Sequence, residues 1–191
     1  MSLQDLLSTS RSYRSFDPSQ PIGKETLLSI AETIRLVPSS RNLQPLKLRL
    51  VHKQDELDRV LSHTRWAGYL PECKLPPEGH APTGYIVICF DSTLATSAEP
   101  FQRDVGICAQ TILLAAAEAG YGGCMIGSFS PDGIFEALSL PSHLSPQLVI
   151  ALGKPDEEVQ ITELPADGSI KYYRENGVHY VPKRTREELI L

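Results

Sequence analysis

The chain lacks an excess of basic residues. Its 191 residues carry 18 Lys and Arg against 23 Asp and Glu, a formal net charge of −5. A nucleic-acid partner calls for a cationic face that displaces counterions, so none is expected. A membrane-length apolar run is also missing. The longest candidate, Val105 to Ala119, is interrupted by Gln110, Thr111 and Glu118. It falls short of the roughly 20 residues that a bilayer requires. The four cysteines, Cys73, Cys89, Cys108 and Cys124, lie far apart. None forms a C-x-x-C or joins closely spaced histidines, so no metal site is expected. Cys89 and Cys108 sit in apolar runs, as buried thiols do. The opening MSLQDLLSTSRSYRSF has neither a charged-then-apolar leader pattern nor an acylation motif. A soluble protein of the reducing cytoplasm is the expectation. There is no P-loop, no G-x-G-x-x-G after a strand, and no Ser-His-Asp or Cys-His pairing. His63, His80 and Cys73 lie in or near one irregular loop, with nothing to orient them. That absence leaves room for a cofactor to carry the chemistry.

What is present is a chain with 41% hydrophobic residues, enough for a sizeable core. It is organised around DVGICAQTILLAAAEAGYGGCMIGSF, Asp104 to Phe129. The first half is apolar almost all the way round, and such a helix is buried on every side, one of them against a sheet. The other cover is open between the rest of this chain and a second subunit. Gly120, Gly122 and Gly123 stop the helix, and Cys124 to Gly127 reads as a short strand. Gly127 hints at backbone close to a ligand or another chain.

Leucines at helical spacing predict a first helix over Ser2 to Thr9, and a wide apolar stripe a second over Lys24 to Leu36. Leu46 to Val51 alternates as a half-exposed strand. Gln54 to His63 reads as a surface helix. Thr83 to Asp91 and Gln147 to Gly153 read as buried strands, with a short helix over Pro131 to Leu140 before the latter. Residues 64–82 form a long loop rich in proline and glycine, as lids and binding loops are. From Glu157 the apolar density falls. A tail with little core of its own frays or is ordered by something else, and Val178 to Val181 could add a strand to a neighbour.

Three polar segments could converge on an anionic ligand that carries a heterocycle. Arg11 to Arg14 mixes guanidinium and hydroxyl donors suited to an oxyanion. Ser39 to Gln44, fixed between Pro38 and Pro45, offers amides that read donors and acceptors. Lys183 and Arg184 form a basic cluster in an acidic protein. Each is equally a solvated loop or end when taken alone.

Together RSYRSF, PSSRNLQP, the run from Asp104 through GGCMIGSF and the closing strand LVIALGKPDE resemble the nitroreductase family of FMN-dependent oxidoreductases, in order and in spacing. The resemblance covers roughly Leu6 to Asp156. It implies an α+β three-layer fold, with a mostly antiparallel sheet flanked by helices. It also implies an intertwined homodimer with FMN at the interface. Residues 1–156 would be the FMN-binding domain, and residues 157–191 an extension wrapping the partner. Arg11, Ser12 and Arg14 would contact the phosphate, ribityl chain and pyrimidine end of FMN. Pro38, Ser39, Ser40 and Asn42 would come from the partner, with Gln44 nearby. Ile126 and Gly127 would lie along the isoalloxazine, and Lys183 and Arg184 would complete the phosphate site. The implied reaction is ping-pong, with NAD(P)H reducing the flavin and a nitroaromatic or quinone reoxidising it. No side chain need be an acid or base. Same-fold alternatives are dehalogenation, substrate oxidation or non-catalytic FMN storage. The chain departs from the family at Ser10, where an arginine is usual and which Arg11 would replace, and at Leu46, where an aromatic is often found.

Overall fold

The structure, a computed structural model, describes residues 2–191. Four strands make the central sheet: β1 (Leu46–Val51), β2 (Gly84–Asp91), β3 (Gly122–Ile126) and β4 (Leu144–Gly153). Their order is β1-β2-β4-β3, and every neighbouring pair is antiparallel. The helices of the main body are α1 (Leu3–Thr9), α2 (Lys24–Glu32), α3 (Gln54–Ser62), α4 (Gln102–Glu118) and α5 (Pro131–Ala137).

β2 shows why the sheet is covered twice. It is buried along its whole length, and its side chains alternate between two cores. Tyr85, Val87 and Cys89 join Leu57 and Val60 of α3 and Ile134 of α5. Ile86 and Ile88 join Leu27 and Ile30 of α2 and Val105, Ala109 and Ile112 of α4. The result is the expected α+β fold, a largely antiparallel sheet between two helical layers.

Several boundaries differ from the sequence reading, each for a local reason. The helix expected over Lys24 to Leu36 is α-helical only to Glu32, then tightens into a 3-10 turn over Thr33–Leu36 before Pro38. The helix expected to reach Leu140 ends at Ala137, and Ser139 turns left-handed with φ 48°. β4 begins at Leu144, ahead of Gln147. Pro146 sits opposite Cys89, where the register shifts, and a strand proline is tolerated at such an irregularity. Within one chain α4 leaves uncovered the side that the sequence reading left open between this chain and a second subunit. Gly106, Ile107 and Gln110 are exposed along one side. Gly120, at φ +80°, stops α4, but Gly122 and Gly123 open β3 instead of prolonging the stop. Both are glycine because of close approach. A Cβ on Gly123 would stand 2.3 Å from the Ala151 carbonyl oxygen, and one on Gly122 would stand 2.5 Å from the Tyr13 ring.

The tail has a sheet of its own. β5 (Glu158–Glu163), β6 (Tyr173–Glu175) and β7 (Val178–Lys183) assemble in the order β5-β7-β6, followed by α6 (Arg186–Leu189). β7 runs parallel to β5 and antiparallel to β6, so Val178 to Val181 pairs within the tail itself. Among the described residues no helix is long and apolar enough to cross a membrane.

Candidate functional site

The arginine segment is attached to the free edge of the sheet. α1 is closed at its start by a capping box between Ser2 and Asp5. Beyond its end, Ser12 bridges Gly123, and the Tyr13 N–H donates to the Gly123 carbonyl at 3.0 Å. β3 is an edge strand, and this bridge supplies part of its missing partner. The N–H groups of Arg14 and Ser15 both donate to Glu157 Oε1, and Glu157 Oε2 accepts from Arg174. The Asp156 N–H donates to the Ser15 carbonyl at 3.0 Å, and the Phe16 N–H to that of His80 at 3.1 Å. Phe16 is fully buried below, so the segment is fixed on both sides.

A cleft of about 360 Å³ opens beside it, and Arg11, Ser12 and Arg14 line one wall. Gln110 and Leu113 of α4 and Met125 of β3 form the floor, while Tyr172, His179 and Lys183 come from the tail. Arg11 donates one N–H to the Leu7 carbonyl of the last turn of α1. Its Nε is buried and has no partner. Arg14 is 9% exposed and donates to the Ser12 carbonyl at 3.1 Å. Its Nη1 lies 3.2 Å from His179 Nε2, and its Cζ lies 4.9 Å from the Tyr172 ring centroid. Burial, and then the Arg14 and Arg174 guanidinia, push His179 down to about 4, so the imidazole is neutral near pH 7. The cleft therefore carries the cations Arg11, Arg14 and Lys183. Glu157 beneath it is already taken up by two backbone N–H groups and Arg174. Such a donor set suits a phosphate, and the orphaned Arg11 Nε is a donor waiting for an acceptor. The residues fit the phosphate of the FMN that the motifs imply.

Of the residues expected in the site, Arg11, Ser12, Arg14 and Lys183 meet in this cleft. Pro38, Ser39, Ser40, Asn42 and Gln44 do not line it. They form a loop on the first turn of α4, where Asp104 Oδ2 accepts from the Ser39 hydroxyl at 2.7 Å and the Ser40 N–H at 2.9 Å. Arg41, Asn42 and Gln44 all have positive φ there. Ile126 buries its side chain in the core and offers only its peptide. Gly127 follows with nothing within 4 Å of where a Cβ would stand, so the space beside it is open. Arg184 lies outside the cleft and pairs with Glu188 at 3.0 Å.

Sequence reasoning missed Glu157, Tyr172 and His179. A histidine between Val178 and Tyr180 in a strand pattern was the one available signal, and the structure buries it to 1% exposure. The irregular loop is also less free than its composition suggests. Thr64 bridges Phe129, the Arg65 N–H donates to the Ser128 carbonyl at 2.8 Å, and His80 Nδ1 lies 2.7 Å from Asp156 Oδ2.

Residues 7–154 match the family model described as "Nitroreductase family". The chain is 26% identical over 161 residues to the Methanothermobacter thermautotrophicus "Putative NADH dehydrogenase/NAD(P)H nitroreductase", covering 82% of this chain and 79% of that protein. It is 25% identical over 177 residues to the Bacillus subtilis "Putative NAD(P)H nitroreductase YodC", covering 78% and 88%. Among solved structures, an "FMN-dependent Nitroreductase" from Clostridium difficile superposes with a TM-score of 0.66 at 25% identity, covering 91% of this chain and 99% of that one. With a family match over well more than half its length, on the fold and motifs described above, the chain belongs to the nitroreductase family and is an oxidoreductase of that family.

Proposed function

We propose that the protein binds FMN with its phosphate in the cleft, and passes electrons from NAD(P)H to nitroaromatics, quinones or similar small acceptors. The observation that carries this reading is the cationic cleft, where the buried Arg11 Nε lacks a partner beside Ser12, Arg14 and Lys183. The names of the relatives, which include NAD(P)H nitroreductases and an FMN-dependent nitroreductase, support the choice of donor and cofactor.

When bound, FMN supplies a centre that takes up two electrons and hands them on. The chain's own residues bind, orient and shield. Arg11, Ser12 and Lys183 neutralise the phosphate and hydrogen-bond to it. Arg14, fixed from several sides, would hold a positive charge in the same cleft, which favours an anionic form of the bound group. The peptides of Ile126 and Gly127 present backbone polar groups beside the open space. Leu113, Met125, Val159 and Val181 give the cleft an apolar side that limits water. Placement and electrostatics are the protein's contribution, without a side-chain acid or base.

The same reading makes the protein a homodimer. The exposed side of α4, with Gly106 and Ile107, together with exposed Leu28, Leu36 and Leu43, is the face a second copy covers. The Pro38–Gln44 loop then serves the partner's cleft. The tail, residues 157–191, reaches onto the partner through exposed Ile161, Ile170, Leu189 and Ile190. The setting is the cytoplasm, in keeping with four free cysteines.

The test is an absorbance spectrum of the purified protein, followed by anaerobic NADH and then NADPH. A flavin band that bleaches is expected, and the faster donor is the preferred one. A band that neither donor bleaches makes this a flavin-holding protein. No flavin, and no uptake of added FMN, overturns the reading.

A further inference from the structure

The family match stops at residue 154, yet five of the twelve residues that line the cleft come from beyond it. The tail spends one buried histidine on that wall. His179 is the largest polar side chain of the tail with no exposure to speak of, and its Nε2 faces the Arg14 guanidinium at 3.2 Å. A guanidinium has only donors, so a contact at this distance holds only when Nε2 carries a lone pair. That calls for the neutral imidazole with its proton on Nδ1, which is buried and has no acceptor of its own.

We propose that His179 is a positioning residue: as a neutral acceptor it orients the Arg14 guanidinium toward the cleft, with Tyr172 stacked against the same cation. The inference rests on the reading of the cleft as the FMN site. The geometry is over-determined. The Ser12 carbonyl takes one N–H of Arg14, His179 takes another, and Tyr172 supports the plane. Tyr172 is itself held, with His179 at 5.2 Å between ring centroids and Tyr69 of the irregular loop at 5.1 Å. A free arginine side chain samples many rotamers, and pinning it in advance removes that cost from ligand binding. A positive charge that is fixed before the ligand arrives also costs no reorganisation during reduction.

Protonation would destroy the contact, and the surroundings oppose it. The charged groups that face His179 are Arg14 from the N-terminal segment and Arg174 from β6, with Lys183 and Arg11 along the same cleft. Glu157 is the one carboxylate at this junction, and its oxygens are already engaged. Burial acts in the same direction.

Two measurements test the proposal, and the first does not need FMN. Nitrogen-15 NMR of histidine-labelled apo protein, with the His179 signal identified by its loss in His179→Gln, reads the tautomer directly. The expected result is the Nδ1–H tautomer, unprotonated down to about pH 5. The Nε2–H tautomer, or titration near the ordinary histidine value, overturns the proposal. The second is FMN titration by flavin fluorescence. His179→Ala should weaken FMN about tenfold or more, the scale of a lost hydrogen bond to a charged group. His179→Gln, whose amide oxygen can accept from Arg14, should recover most of that loss, which a filler role would not explain. Unchanged FMN affinity in a folded His179→Ala protein overturns the positioning role. If wild-type protein binds no FMN, the cofactor reading and the role built on it fall together, while the tautomer still decides whether His179 holds Arg14.

Discussion

Asp104 offers the sharpest test of how the Pro38–Gln44 loop is held. One of its oxygens, Oδ2, takes both the Ser39 hydroxyl at 2.7 Å and the Ser40 N–H at 2.9 Å, and the residue is 5% exposed. The loop it holds is strained, with φ of 52° at Arg41, 54° at Asn42 and 50° at Gln44. A left-handed residue other than glycine costs about 1 kcal/mol, so the three cost roughly 3 kcal/mol together. Two hydrogen bonds to a buried carboxylate are worth about 1.5–3 kcal/mol each and offset that strain. Asp104→Ala removes both bonds and lets the loop relax, which recovers part of the loss. The net cost should be about 2–4 kcal/mol. For a chain of this size that lowers Tm by roughly 2–4 °C for each kcal/mol. Asp104→Asn keeps one amide oxygen without the charge and should lose about half as much. Thermal unfolding followed by circular dichroism reads the stability. FMN titration reads the loop, because its serines and Asn42 are proposed to serve the partner's cleft. The reasoning is refuted if Asp104→Ala leaves Tm within about 1 °C of wild type. It is equally refuted if Asp104→Asn proves worse than Asp104→Ala.

Gly123→Ala should cost about 3 kcal/mol or more, because the neighbour at 2.3 Å is the Ala151 backbone oxygen and cannot swing away; urea unfolding measures it. Tyr85→Phe should leave stability unchanged or raise it by about 1 kcal/mol, since the Tyr85 hydroxyl is buried without a partner, and a clear fall in Tm would show a missed acceptor. Burial pushes the Cys89 thiol up to about 12 and raises Cys108 and Cys124, while Cys73 is only half-buried. A thiol reagent at pH 8 should therefore label Cys73 first in the native protein and all four after unfolding. His179 is a base whose folded value, about 4, lies below its ordinary 6.5. Its contribution to stability is full above 6.5, and is lost as pH falls from there toward 4. The loss amounts to at most about 3 kcal/mol, and His179→Gln should flatten that part of the acid limb.

The two-sided burial of β2 was legible because its run of apolar residues has no polar alternation, as a strand covered on both faces requires. The segment Arg11 to Arg14 was not legible through residue types alone, which read equally as a solvated loop; its order and spacing with the other motifs singled it out, and the structure sets it on the cleft wall. Position was harder to read. Lys183 and Arg184 look equivalent in the sequence, yet the alternation of a strand end sends one into the cleft and leaves the other paired with Glu188. Gly122 and Gly123 read as helix stops because the sequence does not show that Tyr13 and Ala151 crowd them. The tail looked short of core because its sheet has one buried histidine in place of several apolar residues, and its anchors, Glu157 and Arg174, are charged. The partners of those anchors are fixed by tertiary contact, which composition does not report.

The contacts that hold Arg14 have a consequence for the order in which the protein is made. Glu157 lies 143 residues beyond Arg14, and His179 lies 165 residues beyond it. A ribosome adding about 5–20 residues per second leaves the Arg14 guanidinium in water for roughly 10–30 s before its last neighbour is synthesised. The central sheet is complete at Gly153, so a nascent chain can fold its framework well before the cleft can close. A chain arrested between those two points would have its framework but lack the tail's share of the cleft wall, from Val159 to Lys183. If the cleft takes FMN as proposed, such a chain should hold it more weakly than the finished protein.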